Sequence, residues 1–364
     1  MRILNVIGPI NNLSYGNICC NLVDNLVKQG VKVCLKPIGG INYIDDHLVK
    51  SVKTSLENPQ DEISSNLIIW HHNQLSQFKK ENCLNIGFPI FEIDKFDEND
   101  VKNLNGMNNI FVTCNWYAKI LKNYTDRPID IVNLGVNEKL FNGKISKKKN
   151  YFNDERLTFI NIGKWEIRKG HDVLPIILKK ALNQFPVKTR LVLLTFNRFI
   201  SNQDHLDWEN YYNKELKGCG IEVIINRVKE HSQVAEIMAA SDIGLFPSRA
   251  EGWNMGLHEM LSLGKTCLVN NFSAHTEYCT SQNSILIGDN GNLEIEDCFD
   301  GQWFFGKGSW VKYTDNLIDK WVEAVRRVVY EDFRIKQEIV VDSVKHLTWE
   351  NSAKQIIKNI WQNF

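Results

Sequence analysis

The sequence predicts an α/β protein built from two doubly wound units, and three observations carry that expectation. Short apolar segments of strand length alternate with amphipathic helical segments, the pattern of parallel sheets covered on both faces. The alternation lapses in a polar, basic stretch and then restarts. With 364 residues, the chain is long enough for two domains that each bury a core.

The elements follow in order. Arg2–Ile7 reads as a first strand, and the loop 8–16 leads into a helix. That helix carries Ile18, Leu22 and Leu26 on one face, with Gly30 as its C-cap. Val31–Leu35 returns as a strand. Leu67–Trp70, Leu84–Phe88 and Asn109–Cys114 are further short strands, with Ile131–Asn133 a weaker one. A helix after Asn115 (Trp116, Ile120, Leu121) separates the last two. The basic stretch Gly143–Asn150, with Lys144, Lys147, Lys148 and Lys149, reads as a solvated linker. The expected domains are therefore 1–145 and 146–345, with 346–364 as a closing helix.

Beyond the linker come strand Leu157–Ile162, helix Gly170–Phe185, and strands Arg190–Thr195 and Ile221–Ile225. Helix Ser232–Ala240, strand Asp242–Phe246, helix Asn254–Leu263 and strand Thr266–Asn270 follow. Asp315–Tyr330 is helical, with Leu317, Trp321, Val325 and Val328 on one face. The last helix begins at Thr348 and presents Trp349, Ala353, Ile356, Ile360 and Phe364. Such stripes are packing surfaces.

Composition narrows the function. Formal charge is zero and the pI is about 7.1, which leaves no electrostatic footprint for nucleic acid. The nine cysteines show neither C-x-x-C pairs nor zinc spacing and suit a reduced, cytoplasmic setting. The N-terminal apolar run is too short for a signal peptide, and no run of eighteen apolar residues spans a membrane; peripheral membrane contact stays open. No metal site is expected.

The most informative segment is Pro247–Leu263, P-S-R-A-E-G-W-N-M-G-L-H-E-M-L-S-L. A strand runs into a loop carrying Glu251, and a helix opens near Asn254. Helical side chains lean back toward the N-terminus, so Glu259 can face the same spot as Glu251. The helix start offers free N–H groups that suit phosphate. Two acids repel phosphate, so they read as hydroxyl-gripping groups beside a phosphate held by others. Polyhydroxyl plus phosphate describes a nucleotide sugar. A second segment, Gly163-Lys-Trp-Glu-Ile-Arg-Lys-Gly170, follows a strand directly. Gly163 and Gly170 permit close backbone approach, and Lys164, Arg168 and Lys169 can neutralise a departing diphosphate.

Together the two segments closely resemble the signatures of glycosyltransferase family 4: P-S-x-x-E-G-[FW]-x-x-x-x-x-E, and G-R-x-x-x-x-K-G with Lys164 at the usual Arg. The resemblance covers nearly the whole chain. It implies the GT-B fold, two Rossmann-like domains facing across a cleft, and retaining transfer of a sugar. By the same resemblance, Lys169 binds the donor's diphosphate, Arg168 compensates for the missing arginine fork at Lys164, and Glu259 grips the ribose. Glu251 stands by the donor sugar. Asn254, Met255 and Gly256 supply backbone donors beneath it, with Trp253-Asn254-Met255 in place of the commoner F-G-L. Arg227 and Val228 sit where backbone meets the base.

In the first domain, Gly16 stands in a turn that touches phosphate and acceptor in the family. His71 and His72 follow a strand, and His72 is the candidate to orient an acceptor hydroxyl. Glu92 and His275-Thr-Glu277 match weaker family positions. The expected function is a metal-independent hexosyl transfer from a nucleotide diphosphate sugar, used as co-substrate with no cofactor, to a glycan, lipid-linked or protein-linked hydroxyl. The rivals are a nucleotide-sugar epimerase of the same architecture and a non-catalytic sugar-nucleotide binder. No G-x-G-x-x-G follows the first strand, which argues against a dinucleotide oxidoreductase.

Overall fold

The computed structural model describes residues 2–144, 151–152, 154–183, 187–228, 230–288 and 293–361. Most of the lysine-rich linker, the end of the helix expected to reach Phe185, and Phe364 lie outside the described residues. The chain forms two compact units, Met1–Asn137 with His346–Phe364, and Glu138–Lys345.

The first unit alternates β1 (Ile3–Gly8), α1 (Ser14–Lys28), β2 (Lys32–Pro37), α2 (Asp46–Glu57), β3 (Asn66–Ile68), a 3-10 segment (His72–Phe78), β4 (Asn85–Gly87), α3 (Glu98–Asn105), β5 (Asn109–Val112), α4 (Asn115–Leu121) and β6 (Ile129–Ile131). The strands form one parallel sheet in the order β2-β1-β3-β4-β5-β6. The last strand lies two residues before the expected 131–133. Helices α2 and α3 escaped the sequence reading because they bury few apolar residues: Leu48 and Val52 in α2, Leu104 in α3. Helix α3 is fixed instead by a capping box between Asp97 and Asp100. The closing helix Trp349–Trp361 packs on α1. Its first residues lie so close to Gly135 that a Cβ there would collide with the Trp349 backbone. Gln355 accepts from the Asn133 N–H at 3.0 Å, and Ser352 donates to the Asn133 carbonyl at 2.6 Å.

The second unit contains β7 (Leu157–Ile162), a 3-10 turn (Ile167–Lys169), α5 (Leu174–Leu182), β8 (Thr189–Leu194), α6 (Asn202–Glu215), β9 (Ile221–Asn226), α7 (His231–Ala240), β10 (Ile243–Phe246), α8 (Met255–Ser262) and β11 (Thr266–Asn270). It continues through α9 (His275–Tyr278), β12 (Ile285–Ile287), a hairpin β13 (Ile295–Phe299) and β14 (Phe305–Val311), α10 (Asp315–Tyr330) and α11 (Gln337–Val344). Helix α5 starts four residues later than expected. Gly170 adopts a left-handed φ of +78 and Pro175 stands in the first turn, so regular helix begins only at Leu174. Helix α6, unexpected, is capped by Ser201 and Asp204 and buries only His205 and Tyr212.

Six parallel strands form the order β12-β11-β10-β7-β8-β9. The core combines Trp165, Ile177, Leu191, Leu245, Trp321 and Val325. Strand β7 sits in the middle: the chain first builds β8 and β9 on one side, then returns to add β10 on the other, with Phe159 opposite Ile243. That reversal is a topological switch point, where open α/β sheets bind ligands beyond the strands' carboxyl ends.

Candidate active site

The carboxyl ends of β7 and β10 are neighbours, so the two segments that follow them meet. Lys169 Nζ donates to Glu251 Oε1 at 2.6 Å, and Arg168 donates to Glu251 Oε2 at 3.0 Å. Arg168 also donates to the Ala250 carbonyl at 3.0 Å and to Glu166 at 2.8 Å. Lys164 closes the row, 2.6 Å from the other oxygen of Glu166. The result is an alternating chain of charge: Lys164, Glu166, Arg168, Glu251, Lys169.

Backbone geometry makes the junction possible. At Gly170 a Cβ would strike the Pro247 carbonyl, so only glycine lets the turn lie against the segment after β10. The Arg249 N–H donates to the Arg168 carbonyl at 2.7 Å, and its guanidinium bonds the Ile167 carbonyl at 2.6 Å. The same guanidinium forks onto Asp172 at 2.8 and 2.9 Å. Arg249 thus stitches both motifs together, although sequence reading assigned it nothing.

The electrostatics follow from burial against charge. Burial pushes the Glu251 carboxyl upward, but Lys169 and then Arg168 outweigh it and hold the group at about 2. Glu166 is likewise raised by burial and brought below its ordinary value by Arg168 and Lys164. Both carboxylates are ionised at neutral pH. His171 is fully buried, with Nδ1 2.9 Å from the Tyr212 hydroxyl, and burial lowers it to about 3.

Asn254, the residue that caps the start of helix α8, is held in a left-handed conformation with φ +73. Its side-chain oxygen caps the Leu257 N–H at 3.4 Å and its amide lies 2.9 Å from His275 Nε2. His275 Nδ1 lies 2.9 Å from the Asn270 carbonyl, and burial lowers its pKa. An Nδ1–H donor with Nε2 accepting satisfies both contacts. Met255 and Gly256 are half-buried at the helix start, and Gly256 packs closely on Ile162 at the end of β7. Trp253 is interior: it donates to His258 at 3.2 Å, and its carbonyl accepts from Tyr278 at 2.5 Å.

Glu259 is buried on α8, with one carboxylate oxygen 2.7 Å from His231 Nε2 at the start of α7. Nothing in the spacing of residues 231 and 259 announced that pair. Arg227 is exposed, its guanidinium 4.9 Å from the Phe196 ring centroid, and Val228 is half-buried beside it. Among the described residues no three His, Cys, Asp or Glu side chains could hold a metal ion, and no helix is long and apolar enough to cross a membrane.

Gly16 and His72 belong to the first unit. Gly16 is buried in the first turn of α1, where a Cβ would collide with Asn11. The His72 ring stands edge-on to Phe91 and Phe96, with Nε2 3.4 Å from Asp100.

No family model matches the chain, and no curated protein matches it in sequence. Solved structures do. Sucrose-phosphate synthase from Thermosynechococcus elongatus is similar over 100% of this chain and 99% of that one, with a TM-score of 0.71 at 14% identity. The fold is GT-B. A glycosyltransferase from Rickettsia africae ESF-5 covers the same shares at a TM-score of 0.67 and 13% identity. Anabaena HepE, solved in complex with UDP-glucose, matches over 100% of both chains with a TM-score of 0.67 at 10% identity. At such identities the likeness concerns architecture, and chemistry has to come from the site's own residues.

Proposed function

We propose that the chain is a retaining glycosyltransferase that moves a sugar from a nucleotide diphosphate sugar to an acceptor hydroxyl without a metal ion. The observation that carries this reading is the meeting of Lys169 and Arg168 with Glu251 at the switch point of the second sheet. Lys164 and Lys169 each hold one carboxylate and retain further ammonium protons for a diphosphate. Arg168 is 4% exposed and directed to Glu166, Glu251 and Ala250, so it fixes the turn while the lysines face the ligand. The N–H groups of Met255 and Gly256 add donors at the start of α8. Glu259, oriented by His231, grips the ribose hydroxyls.

Chemistry then proceeds at the anomeric carbon. Its bond to the diphosphate oxygen breaks as the lysines stabilise the growing negative charge. Ionised Glu251 stabilises the cationic glycosyl centre. The acceptor oxygen forms its bond on the same face, and its proton passes to the departing phosphate oxygen. Retention and metal independence belong to this reading. HepE, crystallised with UDP and glucose, makes uridine donors the first to test.

The test is incubation with labelled uridine, guanosine and adenosine diphosphate sugars, with and without EDTA and a mixed acceptor pool. Acceptor-dependent release of nucleoside diphosphate, unchanged by EDTA, is expected. Alteration of the sugar without an acceptor marks an epimerase, and binding without turnover marks a binder; either overturns the proposal.

A further inference from the structure

We propose that Glu166 is a built-in counter-ion for Lys164 that weakens diphosphate binding at the basic turn, and so sets how readily the nucleotide leaves. The inference rests on the reading above and adds a residue that reading leaves without a role. Three cations and two carboxylates alternate along the turn, so Glu166 and Glu251 together cancel most of its positive charge. Glu251 has a place beside the sugar. Glu166 has none, and both its oxygens face cations, Lys164 at 2.6 Å and Arg168 at 2.8 Å, with its side chain 4% exposed. Its two partners differ in freedom. Arg168 is equally buried and anchored elsewhere, whereas the Lys164 side chain is 39% exposed. Lys164 is therefore the cation that can turn to an incoming diphosphate while Glu166 draws it back.

A carboxylate held this close to a phosphate-binding cation acts in two ways. It competes for the ammonium protons, and it repels the ligand through a partly desolvated medium where charges screen one another less than in bulk water. Tight product binding slows a transferase once chemistry is complete, because release of the nucleotide then limits turnover. Glu166 counters it. It touches no reacting atom, so it is a positioning residue acting through Lys164.

The experiment is calorimetric titration of uridine, guanosine and adenosine diphosphates, and of inorganic pyrophosphate, into wild type and Glu166→Gln. The glutamine amide can still accept from Arg168 but no longer neutralises Lys164. Affinity for the diphosphate that wild type binds is expected to rise about tenfold, with a steeper salt dependence. In a Lys164→Met background the same substitution should change affinity by less than about twofold, a coupling that a purely structural role would not produce. Glu166→Asp, which keeps the charge but cannot reach both cations, should tighten binding by about threefold and covers the case in which the glutamine variant does not fold. Unchanged or weaker binding in these variants, with wild type binding normally, overturns this inference alone. Absence of any diphosphate binding by wild type overturns the transferase reading with it.

Discussion

Replacing Arg168 by methionine removes the guanidinium that ties the basic turn to the segment after β10. Three hydrogen bonds go with it: 2.8 Å to Glu166, 3.0 Å to Glu251 and 3.0 Å to the Ala250 carbonyl. Breaking a buried ion pair by deleting one partner costs about 3–5 kcal/mol. Here each carboxylate keeps a lysine at 2.6 Å, so the loss belongs at the low end, about 3 kcal/mol. In a unit of roughly 200 residues each kcal/mol moves Tm by about 2–4 °C, which gives a fall of about 6–12 °C by scanning calorimetry. Arg168→Lys keeps the charge but cannot span both carboxylates and the carbonyl, and should recover about half of the loss. A fall below about 2 °C for Arg168→Met would refute the idea that this guanidinium holds the two segments together.

Other outcomes follow from the same geometry. Gly170→Ala drives a Cβ into the Pro247 carbonyl at a left-handed φ and should cost at least about 2 kcal/mol in urea unfolding; a neutral result would mean the turn can move away from β10. Folded His171 is held at about 3 against an ordinary 6.5, so the folded chain binds fewer protons. Its contribution is complete above pH 6.5 and is lost as pH falls toward 3, reaching about 2–3 kcal/mol at pH 4.5. His171→Phe should flatten that limb of a stability–pH curve, whereas parallel curves would count against a neutral buried imidazole. Lys169→Ala is expected to lower turnover at least about a hundredfold and Glu259→Ala to weaken donor binding, both read by initial rates against donor concentration. Wild-type turnover in Lys169→Ala would remove the diphosphate assignment.

The alternation of both sheets was legible because buried parallel strands are short apolar runs, and both motifs stood out because their glycines and charges fall at strand ends. What escaped depends on partners distant in sequence. Arg249 lies inside a recognised motif, yet its fork onto Asp172 requires the switch point to bring residues 249 and 172 together. Glu166 and His231 acquire meaning only from Lys164 and Glu259 across a turn or between helices. Arg168 likewise stands inside a recognised motif, yet its bonds to Glu251 and the Ala250 carbonyl depend on the two segments meeting. The helices Asp46–Glu57, Glu98–Asn105 and Asn202–Glu215 were missed because their buried faces are thin and their starts are set by polar caps or loop context rather than by an apolar stripe.

The closing helix has a consequence for the order of events at the ribosome. Residues 349–361 complete the unit that contains the chain's beginning, with Thr348 bridged to Val136. A nascent polypeptide emerges from its amino end, so the unit made first stays incomplete until the whole of 138–345 and then its missing helix have been synthesised. The earlier-made unit therefore waits for residues 349–361, and removing residues 346–364 should leave a protease-resistant 138–345 beside a digestible start.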